Sequence, residues 1–171
     1  MRVFLIGYMG SGKSKAGEQL ASLLGCTFVD TDEWIESNEK LSVKEIFSQF
    51  GEDHFRRLEQ EAIGALFKKR NIVVATGGGL PCFDDNMQRM NEYGVTVYLE
   101  ANAGLLFHRL VHSKGGRPLI ENLSDVELME KINSHLARRV PYYEQATITV
   151  PAASLNVRQL AAKIRQQDQL R

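Results

Sequence analysis

The strongest chemical signal in the sequence is a glycine-rich segment near its start, residues 7–14, which reads GYMGSGKS. This is the pattern of a phosphate-binding loop, in which backbone N–H groups and the positive end of the following helix surround phosphate oxygens. Lys13 is predicted to reach the β- and γ-phosphates, and the hydroxyl of Ser14 to coordinate Mg²⁺. The segment therefore predicts a nucleoside triphosphate site, the alternative being a chance glycine-rich turn.

Two carboxylates, Asp30 and Asp32, follow the second apolar run of the chain. They are predicted to leave a strand at its carboxyl end, beside the phosphate-binding loop. One is suited to hold Mg²⁺ through water, and the other to accept a proton from an attacking hydroxyl. The alternative is that Asp32 only caps a short helix over residues 33–37. The sequence contains no Asn-Lys-x-Asp segment of the kind that reads guanine, so it does not favour a GTPase.

Such residues act together only if the fold brings strand ends to one edge, and the hydrophobic pattern predicts such a fold. Short, unbroken apolar runs alternate with amphipathic helical stretches, which is typical of parallel strands buried on both faces. The pattern indicates a doubly wound α/β sheet, whose ligand crevice lies at the carboxyl ends of its strands. The predicted strands are Val3–Ile6, Thr27–Val29, Ile72–Ala75, Val95–Leu99 and Thr147–Val150.

Capping residues mark the helix boundaries. Residues 42–45 and 124–127 each fit a capping box, in which a serine and a glutamate satisfy two backbone N–H groups reciprocally. Gly51 and Gly94 are predicted to end helices. The helix after Gly51 carries one apolar stripe at helical spacing, formed by Phe55, Leu58, Ala62, Ile63, Leu66 and Phe67.

Composition excludes several classes of protein. The chain has 171 residues, with 21 Lys+Arg against 21 Asp+Glu and a formal net charge of zero, which fits one soluble globular domain. It lacks the basic excess of a nucleic-acid binder and any overall attraction to a membrane. Cys26 and Cys82 are interpreted as buried small hydrophobes, the four histidines as structural or surface residues, and the cellular location as cytoplasmic.

Four later motifs join the glycine-rich loop and the Asp30–Asp32 segment in a fixed order. Together they make the chain similar to the shikimate kinase family, small P-loop enzymes that transfer the γ-phosphoryl group of ATP to the 3-hydroxyl of shikimate. The resemblance covers nearly the whole chain. The later motifs read GExxFRxxE at residues 51–59, TGGG at 76–79, RPL at 117–119 and RVPYY at 139–143.

The resemblance implies an architecture as well as an activity. It implies a three-layer, doubly wound sheet of five parallel strands in the order 2-3-1-4-5, within one P-loop kinase domain over residues 1–171. A substrate-binding helical segment would span about residues 31–61, and a lid about residues 112–124.

The family pattern also assigns arginines to the acceptor. Arg56 and Arg139 match the arginines that hold the shikimate carboxylate, and a planar guanidinium suits that role through two parallel hydrogen bonds. Glu59, one helical turn after Arg56, is predicted to hold that arginine in place. Arg57 and Arg138 are interpreted as solvated charges, because adjacent helical residues point about 100° apart and do not face one ligand.

Other acceptor and metal positions follow from the same resemblance. Asp32 matches the carboxylate that binds ring hydroxyls and acts as the base. Gly78 and Gly79 would let backbone N–H groups approach the ring. The resemblance, with the chemistry of oxygen ligands, assigns Mg²⁺ to Ser14 directly and to Asp30 through water.

The nucleotide positions include an arginine in the lid. Arg117 matches the lid arginine that closes over the ATP phosphates, where it would exclude water and stabilise transferring charge. Lys15 stands where many members have threonine, and it either contacts the α-phosphate or points to solvent. Residues 151–155 also differ from the usual adenine loop. The predicted nucleotide-binding residues are Gly10, Ser11, Gly12, Lys13, Ser14, Lys15, Arg109 and Arg117.

Two other functions remain open from the sequence. A related P-loop kinase acting on gluconate or on a nucleoside monophosphate would use the same scaffold. A nucleotide-switched binding module would belong to a different class, although it needs neither an arginine pair for a carboxylate nor a lid. The expected partners are shikimate and ATP, with no nucleic acid and no membrane, and the expected oligomeric state is a monomer.

Overall fold

The structure is a computed structural model that describes residues 1–112 and 123–171. The strands of this described part are β1 (Arg2–Ile6), β2 (Thr27–Asp30), β3 (Ile72–Ala75), β4 (Val95–Glu100) and β5 (Ile148–Pro151). They form one parallel sheet in the order β2-β3-β1-β4-β5. The predicted fold class, strand positions and strand order are confirmed.

The helices lie between the strands, as a doubly wound sheet requires. Those described are α1 (Lys13–Leu24), α2 (Thr31–Glu39), α3 (Val43–Leu66), α4 (Asn86–Tyr93), α5 (Ala103–His112), α6 (Asp125–Tyr143) and α7 (Val157–Gln169). Both predicted capping boxes are present, at the start of α3 and at the start of α6. Gly94 follows the end of α4, as predicted, and its N–H donates to the carbonyl of Met90.

Alternate residues of β1 face two different hydrophobic layers. Val3 and Leu5 belong to the core shared with α1, α5, the first half of α6 and α7. Phe4 and Ile6 belong to the core shared with the end of α3, α4 and Tyr143. All four side chains are fully buried, because a central parallel strand is covered by helices on both faces.

The two edge strands correct the prediction that every strand is buried on both faces. Strand β5 alternates between buried and exposed residues, and no residue of β2 is fully buried. An edge strand has only one neighbour, so helices cover it less completely. The cysteines depart from their prediction in the same direction, since Cys26 and Cys82 are only partly buried.

Helices α2 and α3 form a third, smaller hydrophobic cluster of their own. Helix α3 consists of two helical stretches that meet at Gly51, where φ is +80°. Gly51 therefore redirects the chain within α3, and the helix it was predicted to end continues in a new direction. The cluster is built from Ile35, Ile46, Phe55, Leu58 and Ala62, and it lies in the part of the chain predicted to bind the acceptor.

None of the helices described in the structure combines the length and the apolar character that a membrane span requires.

Candidate functional site

The register of the sheet places three chain segments at one edge. Ala75 pairs with Leu5 of β1 and with Asp30 of β2, so the three strands end side by side. The loops that follow them are residues 7–12, the start of α2 and residues 76–79. A crevice opens here, at the carboxyl ends of the strands. Its lining residues are Met9, Gly10, Gly12, Lys13, Ser14, Lys15, Asp30, Asp32, Thr76, Gly77, Gly78 and Arg109.

The phosphate-binding loop has the backbone that its sequence predicted. Gly10 and Gly12 have φ values of +83° and +98°, a left-handed conformation in which a side chain is strained. Gly12 is also the residue before α1, so the N-terminus of that helix points into the crevice. These observations exclude the alternative of a chance turn, because strand, loop and helix all have the geometry of an anion site.

Lys13 extends back across its own loop. Its Nζ donates to the carbonyl of Gly7 at 2.8 Å and to the carbonyl of Tyr8 at 3.0 Å. Only 9% of the residue is exposed. A buried ammonium held by two carbonyls is a preorganised cation in a site of low dielectric constant, where charge interactions are stronger than in water.

Ser14 and Asp30 meet opposite the loop. The Ser14 hydroxyl donates to Asp30 Oδ2 at 2.7 Å, and Asp30 Oδ1 accepts from the backbone N–H of Asp32. Asp30 is therefore the N-cap of α2, which begins at Thr31. The interpretation that Asp32 caps this helix is wrong, because the cap is the carboxylate two residues earlier.

Asp32 lies deep in the crevice. Burial raises its pKa to about 6, Asp30 and Glu36 act in the same direction, and Lys13 and Arg56 oppose them. Within the described part of the chain, its Oδ1 is buried without a hydrogen-bond partner. Asp32 is therefore a carboxylate with raised proton affinity and one oxygen available to a ligand.

The glycine triplet 77–79 passes close to four charged side chains. A Cβ on Gly77 would lie 2.7 Å from Glu59 Oε1 and 3.0 Å from Asp32 Oδ1, and one on Gly79 would lie 2.8 Å from Arg56 Nη1. A Cβ on Gly78 would lie 3.4 Å from an Nη1 atom, that of Arg139. A side chain at Gly77 or Gly79 would displace these charged groups, whereas a Cβ at Gly78 would make a near-ordinary contact.

Arg56 is held by two carboxylates. Its Nη1 donates to Glu59 at 2.5 Å and its Nη2 donates to Glu52 at 2.7 Å. The Glu59 side chain is only 3% exposed; burial raises its pKa, and Arg56 opposes that shift. The guanidinium also lies over the ring of Phe83, 4.2 Å from the ring centre. The prediction that Glu59 holds Arg56 is confirmed, whereas Glu52 was not predicted.

Arg139 approaches the crevice from α6. Its guanidinium carbon lies 5.4 Å from the centre of the Tyr8 ring. Tyr143, one turn later, is fully buried and its hydroxyl donates to the carbonyl of Gly78 at 2.5 Å. Arg57 and Arg138 are exposed. The structure thus separates each arginine from its neighbour in the way that helical geometry predicted.

Arg109 binds the outer side of the phosphate-binding loop. Its Nη1 donates to the carbonyls of Gly10 and Ser11 at 3.1 and 3.0 Å, and its Nη2 donates to that of Ala152 at 3.3 Å. A second depression adjoins the crevice on this side. It is lined by Gly10, Ser11, Gly12, Lys15, Ala16, Gln19, Arg109, Ala152, Ala153, Leu155 and Val157. Lys15 is exposed and borders both depressions.

Some residues of the site were not predicted, and one predicted residue cannot be placed. Thr31 is fully buried, and its hydroxyl accepts from the N–H of Gly77, which ties α2 to the glycine triplet. Tyr8 and His135 lie within hydrogen-bond distance of each other. No pattern in the sequence marks contacts between such distant positions. Arg117 and most of the predicted lid lie outside the described residues.

Comparison with known proteins identifies the family of this site. The family model described as Shikimate kinase matches residues 9–169. A shikimate kinase of Phocaeicola vulgatus is 42% identical over 164 residues, which cover 95% of this chain and 94% of that protein.

Solved structures agree with the sequence relatives. The shikimate kinase of Bacteroides thetaiotaomicron superposes with a TM-score of 0.90 at 37% identity, over 99% of this chain and 98% of that one. The shikimate kinase of Acinetobacter baumannii, solved in complex with shikimate, gives a TM-score of 0.86 at 34% identity, over 97% and 91% of the two chains. Because the family model matches most of the chain and the relatives are more than 30% identical over nearly all of it, the chain belongs to the shikimate kinase family.

Proposed function

We propose that this chain transfers the γ-phosphoryl group of ATP to the 3-hydroxyl of shikimate, giving shikimate 3-phosphate and ADP for chorismate and aromatic amino acid synthesis. One observation carries the assignment. Asp32, Arg56 and Arg139 each lie within 3.4 Å of the position that a Cβ would occupy on one residue of the glycine triplet, which follows the same sheet edge as the buried ammonium of Lys13. A base and two guanidinium groups next to a phosphate loop suit an acceptor with both a carboxylate and a hydroxyl.

The binding roles follow from charge and geometry. Arg56 and Arg139 bind the acceptor carboxylate, and the backbone at Gly78 and Gly79 contacts the ring. Asp32 accepts a hydrogen bond from the reacting hydroxyl through Oδ1, which has no hydrogen-bond partner among the described residues. The carboxylate and the hydroxyl are thereby held at two points, which orients the hydroxyl toward the phosphate loop.

The transfer step makes one bond and breaks one bond. The 3-oxygen of shikimate attacks the γ-phosphorus, and the bond from that phosphorus to the bridging oxygen of ADP breaks. Asp32 takes the hydroxyl proton, and its raised pKa suits it to hold that proton near neutral pH. Lys13, the loop N–H groups and Arg117 stabilise the charge on the transferring group.

Mg²⁺ fits the oxygen donors of this site. The Ser14 hydroxyl and the Asp30 carboxylate lie 2.7 Å apart in the crevice, and both are the hard ligands that Mg²⁺ prefers. In the described part of the chain, no group of three acidic, histidine or cysteine side chains forms a metal cage. We propose that Ser14 holds the ion directly and Asp30 through water, so that bound Mg²⁺ neutralises phosphate charge.

The remaining assignments complete the proposal. The nucleotide occupies the crevice and the adjoining depression, with Gly10, Ser11, Gly12 and Arg109 around its phosphates and Lys15 at the rim. Residues 1–171 act as one catalytic domain and a monomer in the cytoplasm, residues 31–61 bind the acceptor, and residues 112–124 close as a lid.

A coupled assay of ADP release tests the function. We expect release to require shikimate, and gluconate or a nucleoside monophosphate to leave it at the background rate. Stimulation by either of those acceptors in place of shikimate would contradict the proposal. ADP release that no acceptor stimulates would instead identify a nucleotide switch.

A matched pair of arginine variants tests the acceptor site. Arg139→Gln removes a charge-assisted hydrogen bond to a carboxylate, so we expect the KM for shikimate to rise about 10- to 100-fold. Arg138→Gln changes the same side chain on the exposed side of α6 and should leave that KM within about twofold. Equal effects of the two variants would refute the role of Arg139.

A further inference from the structure

A tyrosine of the phosphate-binding loop contacts both a histidine of α6 and Arg139 of the same helix. The Tyr8 hydroxyl and His135 Nδ1 lie 3.0 Å apart, within hydrogen-bond distance, and the two ring centres are 5.9 Å apart. Tyr8 is only 1% exposed. His135 and Arg139 are four residues apart on the same helix, so their side chains lie on the same face. Both residues of α6 therefore contact one tyrosine.

The Tyr8 ring supports the guanidinium of Arg139. The guanidinium carbon lies 5.4 Å from the ring centre, within the range of a cation–π interaction. On the glycine side, Arg139 Nη1 lies within 3.4 Å of the position that a Gly78 Cβ would occupy. Arg139 is thus confined between an aromatic ring and the glycine backbone, which restricts the directions in which it presents its N–H groups.

His135 is suited to hold this ring without opposing the arginine. Burial lowers its pKa to about 4, Arg139, Arg138 and Lys131 act in the same direction, and Glu52 opposes them. At neutral pH the imidazole is therefore uncharged, so it adds no positive charge beside Arg139. One nitrogen of the neutral ring remains able to share a proton with the tyrosine hydroxyl.

Tyr8 also contacts the phosphate half of the site. Its backbone carbonyl accepts from Lys13 Nζ at 3.0 Å. The same residue therefore holds the lysine of the phosphate loop through its backbone and the arginine of the acceptor through its ring. The position of Lys13 relative to Arg139 determines how the shikimate hydroxyl meets the γ-phosphate of ATP.

We propose that Tyr8 and His135 are positioning residues for shikimate, acting through Arg139: the histidine orients the tyrosine ring, and the ring orients the guanidinium toward the carboxylate. The inference rests on the proposed role of Arg139 as a carboxylate ligand. It extends the acceptor site to two residues that do not touch the substrate.

Four variants test the pair by steady-state kinetics and by calorimetric titration with shikimate. Tyr8→Leu removes the ring, and we expect shikimate affinity to fall about 3- to 30-fold, the range of a cation–π contact. The KM for ATP should stay within about twofold. Tyr8→Phe keeps the ring and should lose less affinity than Tyr8→Leu. His135→Leu should weaken shikimate binding, and His135→Asn, which retains a polar group near the Nδ1 position, should restore most of it.

A double variant separates positioning from general destabilisation. If Tyr8 acts through Arg139, then Tyr8→Leu should cost no further shikimate affinity in the Arg139→Gln background. Tyr93→Phe, at an exposed ring far from the crevice, serves as the control and should change neither KM. Additive losses, or losses of thermal stability with shikimate affinity unchanged, would overturn the inference.

The outcomes also distinguish this inference from the proposed function. A wild-type protein without shikimate-dependent ADP release refutes the function itself. Shikimate-dependent release that Arg139→Gln weakens and that Tyr8→Leu and His135→Leu leave unchanged refutes only the positioning role.

Discussion

The phosphate half and the acceptor half of the crevice are built in different ways. In the phosphate half, backbone carbonyls hold the cations: Lys13 donates to Gly7 and Tyr8, and Arg109 donates to Gly10, Ser11 and Ala152. In the acceptor half, side chains hold the arginines: Arg56 pairs with Glu59 and Glu52 of its own helix, and Arg139 lies over the Tyr8 ring. Backbone carbonyls thus hold the cations of one half, and side chains hold those of the other.

This difference separates substrate recognition from phosphate recognition. A phosphate group is bound by N–H groups that any sequence of the right backbone shape supplies. A carboxylate and a hydroxyl on one ring need charges at fixed separations, and those come from α2, α3 and α6. Four predictions test how independent the two halves are.

The largest effect is expected in the phosphate half. Lys13→Met removes the ammonium that stabilises charge on the transferring phosphoryl group, and kcat should fall about 10³-fold. If the halves are independent, shikimate affinity measured by calorimetry should stay within about threefold of the wild-type value. A comparable loss of shikimate binding would show instead that the loop also shapes the acceptor site.

Asp32 lies between the two halves, and Asp32→Asn tests its role as the base. Without a base, kcat should fall about 10²-fold or more. The folded protein should nevertheless become more stable at pH 8, by roughly 1 to 3 kcal/mol, because a buried carboxylate with a raised pKa costs folding free energy when ionised.

The sign follows from proton binding by Asp32. Its pKa is about 6 in the folded state, against an ordinary value of 3.8. Between these values the folded state binds the proton more tightly, so this residue's contribution to stability falls as pH rises through that window. Urea unfolding at pH 8 and pH 5 measures the effect, and the gain from Asp32→Asn should shrink at pH 5. A gain that is the same at both values would refute the burial of a charged Asp32.

Arg56→Gln tests the side-chain network of the acceptor half. The KM for shikimate should rise about 10- to 100-fold, with the KM for ATP nearly unchanged. Unlike Arg139→Gln, this variant leaves the buried Glu59 without its ion-pair partner, so it should also lower the free energy of unfolding by about 1 to 3 kcal/mol. Equal stability of the two variants would show that the Arg56–Glu59 pair contributes little to the fold.

The smallest effect is expected at Lys15, on the exposed rim of the phosphate half. If its ammonium meets the α-phosphate, Lys15→Met should raise the KM for ATP about two- to fivefold, and added salt should reduce the difference. An exposed charge contributes little because water screens it. An unchanged KM for ATP at low salt would assign Lys15 to solvent.

Local signals in the chain were sufficient for much of the fold. The apolar runs predicted all five strands to within two residues at either end, and Ser42 and Ser124 predicted two helix starts. The errors occurred where neighbours in space decide the outcome. The edge strands are less buried than their apolar sequences suggested, and at Gly51 one helical stretch ends and another begins at once, with Ile46 and Phe55 on either side of it in one cluster.

The site shows the same division. The glycines and Lys13 of the loop could be predicted because one short segment carries the whole anion site. Arg56 and Arg139 were predicted only through the family's motifs, since a single arginine on a helix carries no signal of its own. Thr31 and the Tyr8–His135 pair were not predicted because their contacts join residues that are remote in sequence. Glu52 was not predicted because it is one charge among many on an ordinary helix.

By itself, the sequence determined the strands, the phosphate loop and the membership of the chain in its family, because these depend on residues close together along the chain. Only the tertiary structure decided which carboxylate caps α2 and what supports Arg56 and Arg139. The reason is physical: burial, pKa shifts and contacts between α2, α3, α6 and the loop arise only when the sheet register brings distant segments to one edge.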